Sequence, residues 1–250
     1  MDNIPWVGDA INKATEGLVV LLNDAAKYTV RKEAIFEEFR NDGYITVKKI
    51  EDIRQLELEC IDKTVGLLAT KYNSLAAAEG GAIAGGPLLA GPGYPVAMAA
   101  AIAADIPIFT GLCLRAIGEY ATYYGFDIDE QAERAFMLNI LGLSSTTTST
   151  ARRAILANLA KIAKNVASNT AWKVLNEHYF VILVKKIAEQ FGIRVTKGKL
   201  AMVIPAAGVL FNGGVNVYMM NEICNISYIL YRERYVAQYR GDPSLIVKCK

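Results

Sequence analysis

The sequence holds one histidine and four cysteines in 250 residues, and each scarcity closes off a chemistry. His178 has only Glu177 beside it, with no HExxH and no ligand cluster, so it reads as structural and no metal site is expected. Cys60, Cys113, Cys224 and Cys249 form no CxxC pair and no regular spacing. That pattern suits reduced thiols in a cytoplasm better than a disulfide frame, and the first three read as small core residues. The N-terminus lacks the basic residues of an export signal and carries Asp2 and Asp9 instead, so the expectation is a cytoplasmic chain. A charge surplus is missing too. The 27 basic and 25 acidic residues leave +2, which gives no basic field for nucleic acid. Ser144, Ser145, Ser149 and Ser168 sit in no GxSxG elbow. No strand-like alternation of useful length occurs.

What is present is apolar and helical. With 53% hydrophobic residues the chain can bury a sizeable core. Ile11, Leu18, Leu21, Leu22, Tyr28, Ile35, Phe36 and Phe39 recur at helical spacing and predict one helix from Asp9 to Arg40, ended by Asn41-Asp42-Gly43. A second is predicted from Lys48 to Ala78, stopping where Gly80 and Gly81 permit a left-handed cap. Further helices are expected over 106–124, 129–141, 151–166, 171–191 and 215–240, with Tyr124-Gly125-Phe126-Asp127 ending the first of these. The Ser/Thr run from Leu143 to Thr150 has no apolar period and divides the chain into halves, 1–145 and 146–250, of one all-α, multi-helix domain.

Two stretches carry no charge, Gly80 to Ala104 and Leu200 to Asn221. In each, a large residue precedes a proline (Tyr94-Pro95, Ile204-Pro205), a polar residue follows (Asp105, Asn216), and an apolar helix ends in Tyr and Arg. The pattern predicts two glycine- and proline-interrupted apolar hairpins, quasi-repeated. The first is no phosphate loop, because it has no lysine and follows a helix where a nucleotide fold would place a strand. A bilayer core needs about 20 apolar residues of continuous helix. Gly85-Gly86-Pro87, Gly91-Pro92-Gly93, Asp105 and Pro107 interrupt that continuity, so packed turns in a soluble helical domain are expected.

Several of these residues carry a family resemblance. Asp62, Glu79-Gly80 with the glycine-rich run, Ala104-Asp105-Ile106-Pro107, Leu114-Arg115 and Tyr124-Gly125-Phe126-Asp127 resemble the signature half of the EcsC protein family. Ile204-Pro205 and Gly214-Val215-Asn216 resemble its C-terminal half, so the likeness spans Val47 to Tyr239. The family's namesake is encoded beside an ABC-type transporter. The resemblance therefore implies a place near a membrane, and it brings no catalytic residues and no cofactor.

The binding candidates are Asp62, Glu79, Asp105, Arg115, Asp127 and Asn216. Asp105 precedes Ile106-Pro107 and reads first as the N-cap of the following helix, second as a buried acid facing Arg115 or a ligand. Ten residues of one helix rise about 15 Å, so Arg115 is expected to meet Asp62 or Glu79 from a neighbouring helix. Asn216 reads as an interhelical hydrogen bond. Between Glu133 and Glu177 there is no acid, while Arg134, Arg152, Arg153, Lys161, Lys164 and Lys173 fall there. Ile155, Leu159, Ile162 and Val166 make one stripe with the bases largely off it, a pattern that suits an anionic membrane surface and a solvated face equally. The expected function is a non-enzymatic cytoplasmic protein that associates with a membrane surface or a membrane protein such as a transporter, with Arg152, Arg153, Lys161 and Lys164 as surface contacts. Two alternatives stand beside it: a hydrolase using Asp62, Glu79, Asp105 and Asp127, and an effector that inserts its hairpins as a pore.

Overall fold

A computed structural model of the chain describes residues 5–23, 30–85, 94–146, 148–167, 177–200 and 208–241. They form helices α1 (Pro5–Asn23), α2 (Lys32–Asn41), α3 (Ile50–Ile53), α4 (Leu58–Val65), α5 (Leu68–Gly85), α6 (Tyr94–Tyr123), α7 (Gln131–Ser145), α8 (Ser149–Ala167), α9 (Glu177–Leu200) and α10 (Gly208–Tyr239), with no strand among the described residues. The glycine–proline turn expected after Gly85 and the proline expected to open the second uncharged run lie outside the described residues, as do Cys249 and Ser168.

Helix α6 is the axis on which α1, α5, α7, α9 and α10 pack. Its residues Ile102, Ile106, Phe109, Cys113, Ala116, Ile117 and Ala121 are buried. As numbers rise along α5 from Asn73 to Glu79, the partners on α10 fall from Asn221 to Asn216, so these helices are antiparallel. Tyr120 and Tyr124 meet Cys224 and Tyr228, which sets α6 and α10 side by side in parallel. Contacts of α1 with α9 and of α5 with α10 join the two halves of the sequence.

Two helix ends follow the sequence reading closely. At the end of α6, Phe126 N–H donates to Ala121 O at 2.9 Å and Gly125 N–H to Thr122 O at 3.0 Å, with Gly125 at φ 78°, which is a Schellman cap. Gly43 closes α2 in the same way, at φ 101° with Tyr44 N–H on Phe39 O. A Cβ on Gly125 would in addition lie 2.9 Å from Arg54 Cγ. Gly125→Ala is therefore expected to cost about 1–2 kcal/mol for the left-handed backbone alone, with the crowding added, read as a lower urea midpoint at unchanged slope.

Other boundaries differ, each for a tertiary reason. The helix expected from Asp9 to Arg40 is two helices, because Val30 turns inward and its Cγ2 fills the notch left by Gly118. The helix expected from Lys48 to Ala78 is three. Arg54 leaves the helical path to donate from Nε to Gly125 O at 2.8 Å, and Tyr235 Oη donates at the break to the carbonyls of Arg54 and Leu56. Helix α5 does not stop at Gly80-Gly81 but runs to Gly85. Helix α6 begins at Tyr94, so Asp105 is no N-cap, and it lies buried in the helix interior at 1% exposure. Pro107 is also inside α6, and Gly17 of α1 makes room for its ring: a Cβ there would lie 2.8 Å from Pro107 Cγ. In the Ser/Thr run, the hydroxyls of Ser144, Ser145 and Thr146 donate back to the carbonyls of Leu141 and Gly142, and α8 starts at Ser149. Cys113 and Cys224 are buried as expected, whereas Cys60 is only partly so.

Candidate functional site

The six binding candidates fall into four places. Asp62, on the amphipathic α4, accepts from Tyr124 Oη at 2.7 Å and from Arg232 Nε at 2.8 Å. It borders a cleft of about 600 Å³ shared with Tyr120, Asn221, Cys224, Asn225 and Tyr228. Burial and the adjacent Asp62 carboxylate push the Tyr124 hydroxyl well above its ordinary range. Burial pushes the Cys224 thiol up to about 12 although the bond with Tyr120 opposes it, so both groups stay protonated at neutral pH.

Glu79 and Asn216 form the second place. Asn216, with no exposed surface, donates from Nδ2 to Glu79 Oε2 at 2.6 Å, the interhelical bond that the small-residue packing of α5 on α10 suggests. Glu79 and the exposed Arg115 border a cleft of about 510 Å³ whose other walls, Leu21, Leu75, Pro107, Ile108, Gly111 and Leu112, are apolar. Asp62, expected as one possible partner of Arg115, pairs with Arg232 instead.

Asp105 is buried on the inner side of α6, at 1% exposure. Asp127 is in the turn after α6, where Lys32 Nζ reaches it at 2.5 Å and Asp129 N–H at 3.0 Å. Partial burial favours its neutral form, but these two hydrogen bonds outweigh that and hold the carboxyl below its usual range. The four carboxylates do not converge. Asn216 and Arg232, which bond Glu79 and Asp62, are set about 24 Å apart by the helical rise of α10. Ser144 and Ser145 are buried and bonded to backbone carbonyls, and the His178 side chain lies outside the described residues.

The basic segment has a different character. Helix α8 packs chiefly on α7, burying Leu159, Ile162 and Ala163 and half-burying Ile155 and Leu156. Arg153, Lys161 and Lys164 are exposed. Arg152 is partly engaged, with Nη1 3.3 Å from Thr146 O and 3.8 Å from Glu222 Oε1. Gly142 of α7 leaves room for both neighbours: a Cβ there would lie 2.4 Å from Ile187 Cδ1 of α9 and 3.8 Å from Ile155 Cδ1 of α8. On its outer side α9 exposes Val181, Ile182, Lys185, Lys186, Glu189 and Gln190.

Two features carried no usable sequence signal. One is that outer side of α9, which is legible only once the buried Leu183, Val184, Ile187, Ala188 and Phe191 fix its orientation. The other is a buried ion pair. Arg234 Nη1 lies 2.7 and 3.0 Å from the two Glu133 oxygens, with both side chains 3% exposed. Tyr231 Oη donates to the same carboxylate at 2.8 Å, and the guanidinium stacks 4.0 Å from the Phe126 ring centre and 4.5 Å from that of Phe136. The spacing of Tyr228, Tyr231, Tyr235 and Tyr239 along α10 marks an aromatic stripe, but nothing in it points to Glu133 on α7.

Comparison with known proteins adds a family and one relative. A family model described as the EcsC protein family matches residues 5–236. The uncharacterized protein YdbA of Bacillus subtilis (strain 168) is 27% identical over 197 residues, which make up 76% of this chain and 64% of that protein. The chain thus matches just under two thirds of that relative's length. No solved structure matches.

Proposed function

The chain belongs to the EcsC protein family, and from that premise we propose that it is a non-enzymatic helical protein of the cytoplasm that binds peripherally to a membrane, through lipid or a membrane protein, by the basic face of α8. The observation that carries this reading is the exposure of Arg153, Lys161 and Lys164 on a helix whose apolar side is already covered by α7. Exposed bases with no intervening acid attract anionic headgroups by about 1 kcal/mol each. Apolar residues committed to α7 leave the helix nothing to insert, which favours lying at the surface. In this reading the two uncharged runs are interior hairpins, related as a quasi-repeat, that pack the bundle.

Among the described residues one helical stretch, Ala100–Tyr123, has the length and mean hydropathy, 1.6, to cross a membrane, and 56% of its most apolar window is buried inside the fold. A core helix passes the same criterion, and the helices packed on α6 make core packing the simpler role. The test is co-sedimentation of the full chain with phosphatidylserine-containing vesicles. Pelleting is expected at moderate salt, with release near 1 M, where the screening length falls to about 3 Å. Entrapped dye is expected to stay inside at neutral and acid pH. Leakage that grows on acidification and changes in Asp105→Lys would favour insertion. Failure of folded protein to bind either these vesicles or membranes of its own cell would remove the proposal.

A further inference from the structure

The cleft beside Asp62 takes no part in the membrane-surface reading, and its walls come from α4, α5, α6 and α10. Short side chains at Val65, Gly66 and Ala69 leave it about 600 Å³, within the roughly 300–1,000 Å³ of small-molecule sites. Tyr120 and Cys224, 2% and 1% exposed and bonded to each other, are its buried floor. Asn221, Asn225 and Tyr228 follow at i, i+4 and i+7 on one face of α10. Asn221 Oδ1 accepts from Asn73 Nδ2 at 3.3 Å, which leaves its own amide N–H groups to the cleft. The Asn225 amide and the Tyr228 hydroxyl make no side-chain hydrogen bond among the described residues.

We infer that this cleft binds a neutral, polyhydroxylated ring, the chemistry of a free monosaccharide or of the ribose of a nucleoside. Charge and hydrogen-bonding capacity select that class. Asp62 is the one charged side chain on the described walls, and Arg232 Nε already holds it at 2.8 Å, so the site is balanced. An anion finds no base there, since Arg232 is committed to Asp62. An ammonium ligand would meet a carboxylate already compensated, with a guanidinium beside it. A divalent cation lacks ligands, because the described residues hold no group of three His, Cys, Asp or Glu. An apolar ligand would strip water from the amides, the hydroxyl and the carboxylate without replacing their bonds. Vicinal hydroxyls satisfy all of these, donating to the lone pairs that Asp62 keeps beyond Tyr124 and Arg232 and both donating to and accepting from Asn225. Tyr120 and Tyr228 supply ring surface for the C–H side of a sugar. Because Tyr124 and Arg232 fix the Asp62 carboxylate in advance, the acceptor is in place before a ligand arrives.

The experiment is isothermal titration calorimetry of the full chain with D-glucose, myo-inositol, D-ribose and adenosine. Saturable binding of at least one is expected, with Kd on the order of 1 mM, which suits a ligand of about a dozen non-hydrogen atoms. Asn225→Ala, at an exposed position, is expected to weaken it about tenfold, the range for losing one or two hydrogen bonds. Ala69→Leu, which fills the cleft, is expected to abolish it. Urea midpoints of both variants are the control, and Asn225→Ala carries the test alone if the added leucine disturbs α5. Binding of ribose and adenosine without glucose assigns a nucleoside, and binding of glucose or inositol without adenosine assigns a free polyol. No saturable binding of any of the four, or binding that Asn225→Ala leaves unchanged, overturns the inference. So does binding of tetramethylammonium or inorganic phosphate that this variant weakens while all four polyols fail. Vesicle binding tests the α8 surface separately, so either reading can fail without the other.

Discussion

Replacing Arg234 with alanine is expected to lower the free energy of unfolding by about 3–5 kcal/mol, the cost of removing one partner from a buried ion pair. The magnitude follows from what remains. Glu133, 3% exposed, would lose its cation and keep the bond from Tyr231 Oη, and the space between Phe126 and Phe136 would be left empty. The guanidinium also loses its stacking on two rings, worth about 2 kcal/mol where the cation is desolvated. A second variant separates charge burial from packing. Glu133→Leu with Arg234→Met fills the same volume without an ion, and buried pairs replaced in this way are often neutral in stability. The double variant is therefore expected to recover most of the loss in urea denaturation. A single variant within about 0.5 kcal/mol of wild type, the range of an ordinary surface change, would contradict this account of the site.

Reversing two charges on α8, Lys161→Glu with Lys164→Glu, is expected to weaken binding to anionic vesicles by roughly a thousandfold. Each lysine near such a surface contributes about 1 kcal/mol, and the double reversal changes the charge by four, so about 4 kcal/mol is lost. Both side chains are exposed and form no ion pair among the described residues, so the fold is expected to melt as the wild type does. Lys161→Gln with Lys164→Gln should give half the effect in free energy. Equal binding of all three proteins to vesicles would place the contact elsewhere. Equal thermal unfolding is the control that makes the comparison meaningful.

How much of this was legible depended on whether the signal was local. The caps at Gly43 and Gly125 were readable because a left-handed glycine followed by an apolar residue ends a helix by short-range bonds alone. The basic face of α8 was readable because its apolar stripe and its acid-free surroundings lie within a few turns. The extent of α6 was not, since Asp105 and Pro107 look like a helix start until Gly17 on another helix is seen to accommodate the proline ring. Gly80 and Gly81 likewise look like a stop until α5 is seen packed along α10. Among the candidate residues, the bond from Asn216 to a neighbouring helix was expected, and Glu79 is its acceptor. The pairing of Asp62 with Arg232 spans 170 positions and that of Glu133 with Arg234 spans 101, distances over which one sequence carries no pairing information.

The place of α10 has a consequence during synthesis. Helix α10 begins at Gly208, yet it packs on α5, α6 and α7, so the inner surfaces of those helices stay uncovered until α10 has left the ribosome. At about 5–20 residues per second, the roughly 120 residues from the end of α5 at Gly85 to the start of α10 at Gly208 take on the order of 6–25 s to follow. For that interval the nascent chain presents Tyr124, Phe126 and Phe136 without their ring partners Tyr228 and Tyr231, a substrate for chaperones that hold apolar segments. A ribosome-stalled chain ending before Gly208 is accordingly expected to bind such chaperones, and emergence of α10 is expected to release it.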